Sequence, residues 1–141
     1  MGKSLKIENW QIVTSCSSVK RRKDTPITPS LSSRGLEELA SSWVRKLNKV
    51  KTLEPAIDTY GGRSFTDAVF ASKLIGADLN VISAGLGLVK VDEKIPNYNL
   101  TISAGEGSIA GWLKDRGHTS KDWWKSLSNH LHKANSLNSL V

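Results

Sequence analysis

Leu79-Asn80-Val81-Ile82-Ser83 constrains this chain more than any other stretch. It is a short, largely apolar segment that runs into Ala84-Gly85-Leu86-Gly87, and helical periodicity lies on either side of it. A strand of this kind between helical patterns predicts a parallel sheet covered on both faces. The expected fold is therefore α/β, three-layered, with a small mainly parallel sheet flanked by helices. The small residues after Ser83 let backbone come close to a ligand or to a neighbouring element, and strand exits are where open α/β sheets present backbone to ligands.

Trp10 to Ser15 is rich in β-branched and aromatic residues and predicts a first strand, which delivers Cys16-Ser17-Ser18-Val19-Lys20 to a strand end. Four consecutive cations follow, Lys20-Arg21-Arg22-Lys23. Such a run is a solvated face or the mouth of a site for anions. Residues 24–33 hold Pro26, Pro29 and several hydroxyl side chains, and predict a mobile exposed loop.

Leu36, Leu39, Ala40, Trp43, Val44, Leu47 and Val50 recur at helical spacing, with Ser33 as the expected cap and Trp43 on the apolar stripe. Glu54 to Tyr60 predicts a short extended segment, and Gly61-Gly62-Arg63 a turn. Ser64 with Asp67 predicts a capping box for a helix that stops at Gly76 and is sandwiched against the sheet. Its start, with free N–H groups and Arg63 beside it, suits an anion or is merely a turn that needs glycine. Pro96 forces Ile95 to be extended and projects Asn97-Tyr98-Asn99. Ser108 to Lys114 predicts a short helix ending near Gly117. Thr119 with Asp122 predicts a capping box for the last helix, with residues 134–141 frayed.

The 141 residues suit one domain, 1–141. Twenty basic against 13 acidic residues give a net charge of +7, which favours anionic partners, nucleic acid first. No apolar run reaches the roughly 18 residues of a membrane span, and the residues after Met1 show no apolar signal core, so a cytoplasmic location is expected. Cys16 is the single cysteine, which excludes an internal disulfide and fits a reducing compartment. His118, His130 and His132 do not have the spacing of a metal site, and no cofactor is specified. Cys16 near several cations has the setting of an activated thiol, or is a half-buried packing residue.

The order Cys16-Ser17-x-x-Lys20, Tyr60-Gly61-Gly62-Arg63, Ile82-Ser83-Ala84-Gly85-Leu86-Gly87-Leu88, then Ile95-Pro96-x-Tyr98 resembles a wider group. That group comprises the peroxide-stress YaaA proteins, related small bacterial and phage domains, and, more distantly, the archaeosine synthase core domain. The resemblance spans about residues 10–103. It implies an α/β domain associated with nucleic acid, in base modification, DNA protection or the stress response. It also implies that Cys16, Ser17, Lys20, Tyr60, Gly62, Arg63, Ser83, Gly87 and Tyr98 converge on one pocket. Here Lys20 is followed by Arg21 where archaeosine synthase has Lys-Pro-Tyr, and Leu86 stands where YaaA proteins have Tyr.

The expected function is a nucleic-acid-associated domain with a nucleotide- or base-sized pocket. Backbone at Ser83, Ala84, Gly85 and Gly87 would approach the ligand, and Tyr98 would stack or hydrogen-bond. Lys20, Arg21, Arg22, Lys23 and Arg63 would take phosphates. Cys16 or Lys20 would act as nucleophile or proton carrier if a reaction is catalysed. The alternative is a non-catalytic binding or interaction module. Two clear strands and two weaker ones are few for such a sheet, which leaves room for a protein partner, a homo-oligomer or a longer parent chain.

Overall fold

A computed structural model describes residues 10–16 and 20–139, with side chains as far as Leu131. In chain order the elements are β1 (Gln11–Ser15), α1 (Leu36–Lys49), β2 (Glu54–Pro55), α2 (Ala56–Thr59), α3 (Arg63–Ile75) and β3 (Asp78–Ser83). β4 (Gly87–Lys90), β5 (Lys94–Ile95), α4 (Ala110–Asp115) and α5 (Ser120–Ser139) follow. They form two compact units.

The first unit takes the chain up to Asp24, then Leu53–Ser83 and Leu88–Ile95. Its sheet has the order β1-β3-β4. β1 runs parallel to β3, with Gln11 opposite Asp78 and Ser15 opposite Ile82. The sheet is mixed, not mainly parallel, because Ala84, Gly85 and Leu86 make a three-residue turn that sends β4 straight back along β3. A connection that short joins antiparallel neighbours, whereas a parallel partner needs a crossover of a dozen residues or more. Gly87, at φ 79°, holds the left-handed conformation where the chain reverses. Leu79, Val81 and Val89 are buried, while Val13, Ile82 and Leu88 are exposed on the sheet's other face.

Three local expectations fail in this unit. The Glu54–Tyr60 segment is a two-residue strand paired with β5 and then one helical turn, closed by Tyr60 N–H donating to Ala56 O. α3 begins two residues early, at Arg63, capped by Gly62 at φ 86° with no side-chain cap, so the Ser64–Asp67 box does not form. α3 is also not sandwiched. Phe65 and Ser72 are its buried residues, whereas Phe70, Leu74 and Ile75 are exposed, because the helix is apolar on more sides than it has neighbours. Its end matches expectation, with Gly76 left-handed at φ 68°.

The second unit takes Thr25–Thr52, Ala84–Gly87 and the chain from Pro96 onward. α1 lies against α5, and Leu39, Trp43, Ile109, Trp123 and Leu127 are fully buried. Glu37 on α1 accepts a 2.7 Å bond from Ser126 Oγ and lies 3.2 Å from His130 Nε2 on α5. Gly35, extended at φ −154°, caps α1 in place of Ser33, whose hydroxyl donates to Ser30 O. The 25–33 segment is tied at several points. Ile27 N–H donates to Asn97 O, Asn99 N–H donates to Ile27 O, and Trp112 Nε1 donates to Leu31 O.

Thr119 and Asp122 do form the reciprocal capping box. Asp122 N–H donates to Thr119 Oγ1 at 3.2 Å and Thr119 N–H donates to Asp122 Oδ2 at 2.9 Å. That backbone bond, then the Thr119 hydroxyl and the nearby His118, holds the Asp122 carboxyl below the usual carboxylate range. A carboxyl depressed in the folded state stabilises it above its unfolded value, near 3.9, and the contribution is lost as pH falls through the folded value. The gap in melting temperature between the protein and Asp122→Ala is therefore expected to be constant above about pH 5 and to close in more acid solution. Thermal melts of both proteins from pH 7 to 2.5 check this, and a gap that widened in acid would refute the assignment.

Candidate functional site

Within the first unit the site is built at the carboxyl ends of a parallel strand pair. Cys16 N–H donates to Ile82 O at 2.8 Å, which carries the β1–β3 pairing one residue past β1 and sets Cys16 beside the end of β3. Ser83, the last residue of β3, is fully buried. Ser17, expected among the ligand contacts, lies outside the described residues. Lys20 then forms an antiparallel bridge with Tyr60, and Arg21 N–H donates to Thr59 O at 2.8 Å. Lys20 is thus clamped at its backbone to the residue that follows α2. Tyr60 is fully buried, its ring tilted against Phe65 at 5.6 Å.

The Lys20 side chain is half-buried. Burial pushes its ammonium below the usual lysine value, and the charge of Cys16 works in the opposite direction. Desolvation disfavours the charged amine and a nearby thiolate favours it. Burial is the larger of the two effects. Gly62 and Arg63 come two and three residues after Tyr60, at the start of α3, and the Arg63 side chain is 95% exposed. Arg21 and Lys23 are exposed as well. Arg21 also donates from Nη2 to Ile57 O at 2.8 Å.

Arg22 does not belong with these cations as a phosphate contact. Its side chain has no exposed surface. Nε and Nη2 grip the Asp24 carboxylate at 2.9 and 2.8 Å, and Nε lies 3.0 Å from Glu54. Nη1 donates to Thr59 Oγ1 and to Ile95 O. The guanidinium fork matches a carboxylate on two atoms at once, which a lysine at this position does not. Its function is to join the Lys20–Asp24 segment to α2 and to the β2–β5 pair. The Arg-x-Asp spacing was the one sequence signal for this role.

The expected ligand floor has another occupant. In the second unit Trp123 Nε1 donates to Ala84 O at 2.8 Å and Trp43 Nε1 donates to Gly85 O at 2.7 Å. A Cβ on Gly85 would lie 2.8 Å from the Tyr98 ring and 3.3 Å from Trp43. The close approach that this glycine permits is therefore to protein. Tyr98 is 1% exposed and meets Trp43 edge-on at 6.5 Å, so its ring is a core contact rather than a stacking platform. Gly87 faces Leu131, which a Cβ would meet at 3.1 Å. The signal overlooked was the need of two buried indole N–H groups for acceptors, which turn carbonyls supply.

The structure therefore brings Cys16, Lys20, Tyr60, Gly62, Arg63 and Ser83 into one unit, and Ala84, Gly85, Gly87 and Tyr98 into the other. An open depression of about 440 Å³ on the exposed face of the first unit's sheet is lined by Gln11, Asp78, Asn80, Leu88, Lys90 and Asp92, and by none of these residues. Among the described residues no three His, Cys, Asp or Glu side chains come together as metal ligands. No described helix is long and apolar enough to cross a membrane. No family model, curated protein or solved structure matches the chain.

Proposed function

We propose that this chain is a nucleic-acid-associated domain whose chemical centre is the Cys16–Lys20 pair, acting in base modification or DNA protection. The observation that carries this reading is a half-buried lysine four residues after a cysteine that sits at a strand end, with exposed cations following it. Perturbed titratable groups gather where chemistry or binding is done. Arg21, Lys23 and Arg63 supply the phosphate contacts, and the net charge of +7 favours a polyanion. Lys20 and Cys16 face a base- or nucleotide-sized group. The resemblance of the Cys16–Lys20 and Tyr60–Arg63 elements to the YaaA-like group points the same way.

A second reading, a non-catalytic interaction module, is favoured by Phe70 and Leu74, neighbours one turn apart on the exposed side of α3. Fluorescence anisotropy with a labelled oligonucleotide separates the two. Binding is expected to be tightest at low salt and to weaken linearly on a log–log plot. The double variant Lys23→Gln/Arg63→Gln is expected to reduce that slope by about two. No binding at 20–50 mM salt, on the order of where phosphate contacts are strongest, would defeat the nucleic-acid reading and leave the interaction module.

A further inference from the structure

We propose that two copies of this chain pair through β1, antiparallel about a two-fold axis at Val13, and so join their sheets into one. The proposal goes beyond the nucleic-acid reading and does not depend on it.

The sheet order β1-β3-β4 puts β1 at an edge. Asp78 N–H donates to Trp10 O and Cys16 N–H donates to Ile82 O, at the two ends of the β1–β3 ladder. In a parallel ladder alternate residues of a strand turn their N–H and C=O towards the neighbour. Trp10, Ile12, Thr14 and Cys16 therefore bond β3, and the backbone groups of Gln11, Val13 and Ser15 point out from the sheet. Natural edges are blunted by lysine, proline or a bulge. Residues 10–16 contain no proline and no charge, and β1 pairs with β3 in an unbroken register. β4, at the opposite edge, ends in exposed Lys90. Trp10 and Val13 are themselves 62% and 52% exposed.

The outward groups fix the register. Antiparallel strands exchange both N–H···O bonds between residues that face each other in a hydrogen-bonded pair, and a two-fold axis closes such a pair. With Val13 on the axis, Val13 meets Val13 of the second copy and Gln11 meets the second copy's Ser15. Every outward N–H and C=O of the three residues then has a partner. A shift of one residue would set them against groups that already bond β3. Ile12 comes opposite the second copy's Thr14, and Trp10 opposite its Cys16, so pairing brings an indole to the strand end where the candidate site begins. On the other face of the sheet, the exposed stripe of Val13, Ile82 and Leu88 continues across the Val13 pair into the second copy.

Charge favours this seam over the rest of the surface. Each copy carries +7, and an uncharged strand is where two such copies meet with least repulsion. A seam of one short strand is smaller than the roughly 1,000 Å² of a stable interface, so the pairing is weak and reversible. Added salt screens the repulsion and strengthens it, the reverse of its effect on phosphate contacts.

Sedimentation equilibrium of the whole chain, at up to about 1 mM protein, tests this. The expected result is a monomer–dimer equilibrium that tightens as salt is raised. Its association constant is expected to fall at least tenfold in Val13→Lys, which sets two like charges directly opposite each other. NMR on the wild-type protein reads the register. A nuclear Overhauser effect is expected between the α protons of Ile12 in a labelled copy and Thr14 in an unlabelled one, which face each other only across the seam. A monomer at every concentration overturns the proposal, as does growth into species larger than two. A dimer that Val13→Lys leaves intact, or one without the Ile12–Thr14 contact, overturns it as well. If Val13→Lys fails to fold, the NMR contact decides. Each of these failures leaves the nucleic-acid reading standing, since none of them involves Lys20 or the exposed cations.

Discussion

Replacing Trp43 with alanine is expected to destabilise the protein by about 3–5 kcal/mol, the cost of removing a fully buried large aromatic side chain. Three contacts are lost together. The indole sits in the core formed by α1 and α5, it meets the Tyr98 ring edge-on, and its N–H satisfies Gly85 O. Trp43→Phe separates these contributions. It keeps most of the apolar area and removes the indole donor to Gly85 O, for an expected cost of about 1–3 kcal/mol. Urea denaturation followed by circular dichroism measures both. Equal losses from the two variants would show that packing contributes little, against this description of the turn.

Replacing Arg22 with methionine is expected to cost about 2–4 kcal/mol, somewhat less than the usual penalty for breaking a buried ion pair. The discount reflects its partners. Asp24 and Glu54 retain 26% and 45% of their side-chain exposure, so water recovers part of their solvation when the guanidinium is gone. Thr59 Oγ1 and Ile95 O lose a donor too. Arg22→Lys keeps the charge without the planar fork and is expected to fall between the two. Raising the salt should change the Arg22→Met penalty little, because the guanidinium is shielded from mobile ions. A cost below 0.5 kcal/mol, roughly that of an exposed pair, would contradict the buried geometry.

The two predictions also mark what was legible in the residues. Periodicity placed α1 and put Trp43 in the core, because one apolar stripe on a helix has one stable orientation. Gly76 and the Thr119–Asp122 box were legible because caps are local chemistry. The Ser83–Gly87 turn was not. The same small residues serve a strand exit facing a ligand and a hairpin pressed against a ring. What decides is Tyr98 and Trp43, which reach the turn from distant parts of the chain. Arg22 was hidden for a related reason. Inside a four-cation run it reads as solvated, and only Glu54 and Ile95, brought in by the fold, turn it inward. The exposed flank of α3 likewise depends on how many neighbours the helix acquires, and its own residues do not encode that number.

Cys16, Lys20 and Tyr60 are separated by up to 44 positions in the numbering, yet strand pairing brings them to one place. The claim that matters most is that this place holds an amine altered by its surroundings. The most direct measurement is an NMR titration of the Lys20 side chain in the folded protein, assigned by comparison with Lys20→Arg. Lys20 is expected to titrate below the exposed lysines, and lower still in Cys16→Ser, where the opposing thiolate is gone. A Lys20 that titrates with the exposed lysines, and does not respond to Cys16→Ser, would contradict the account.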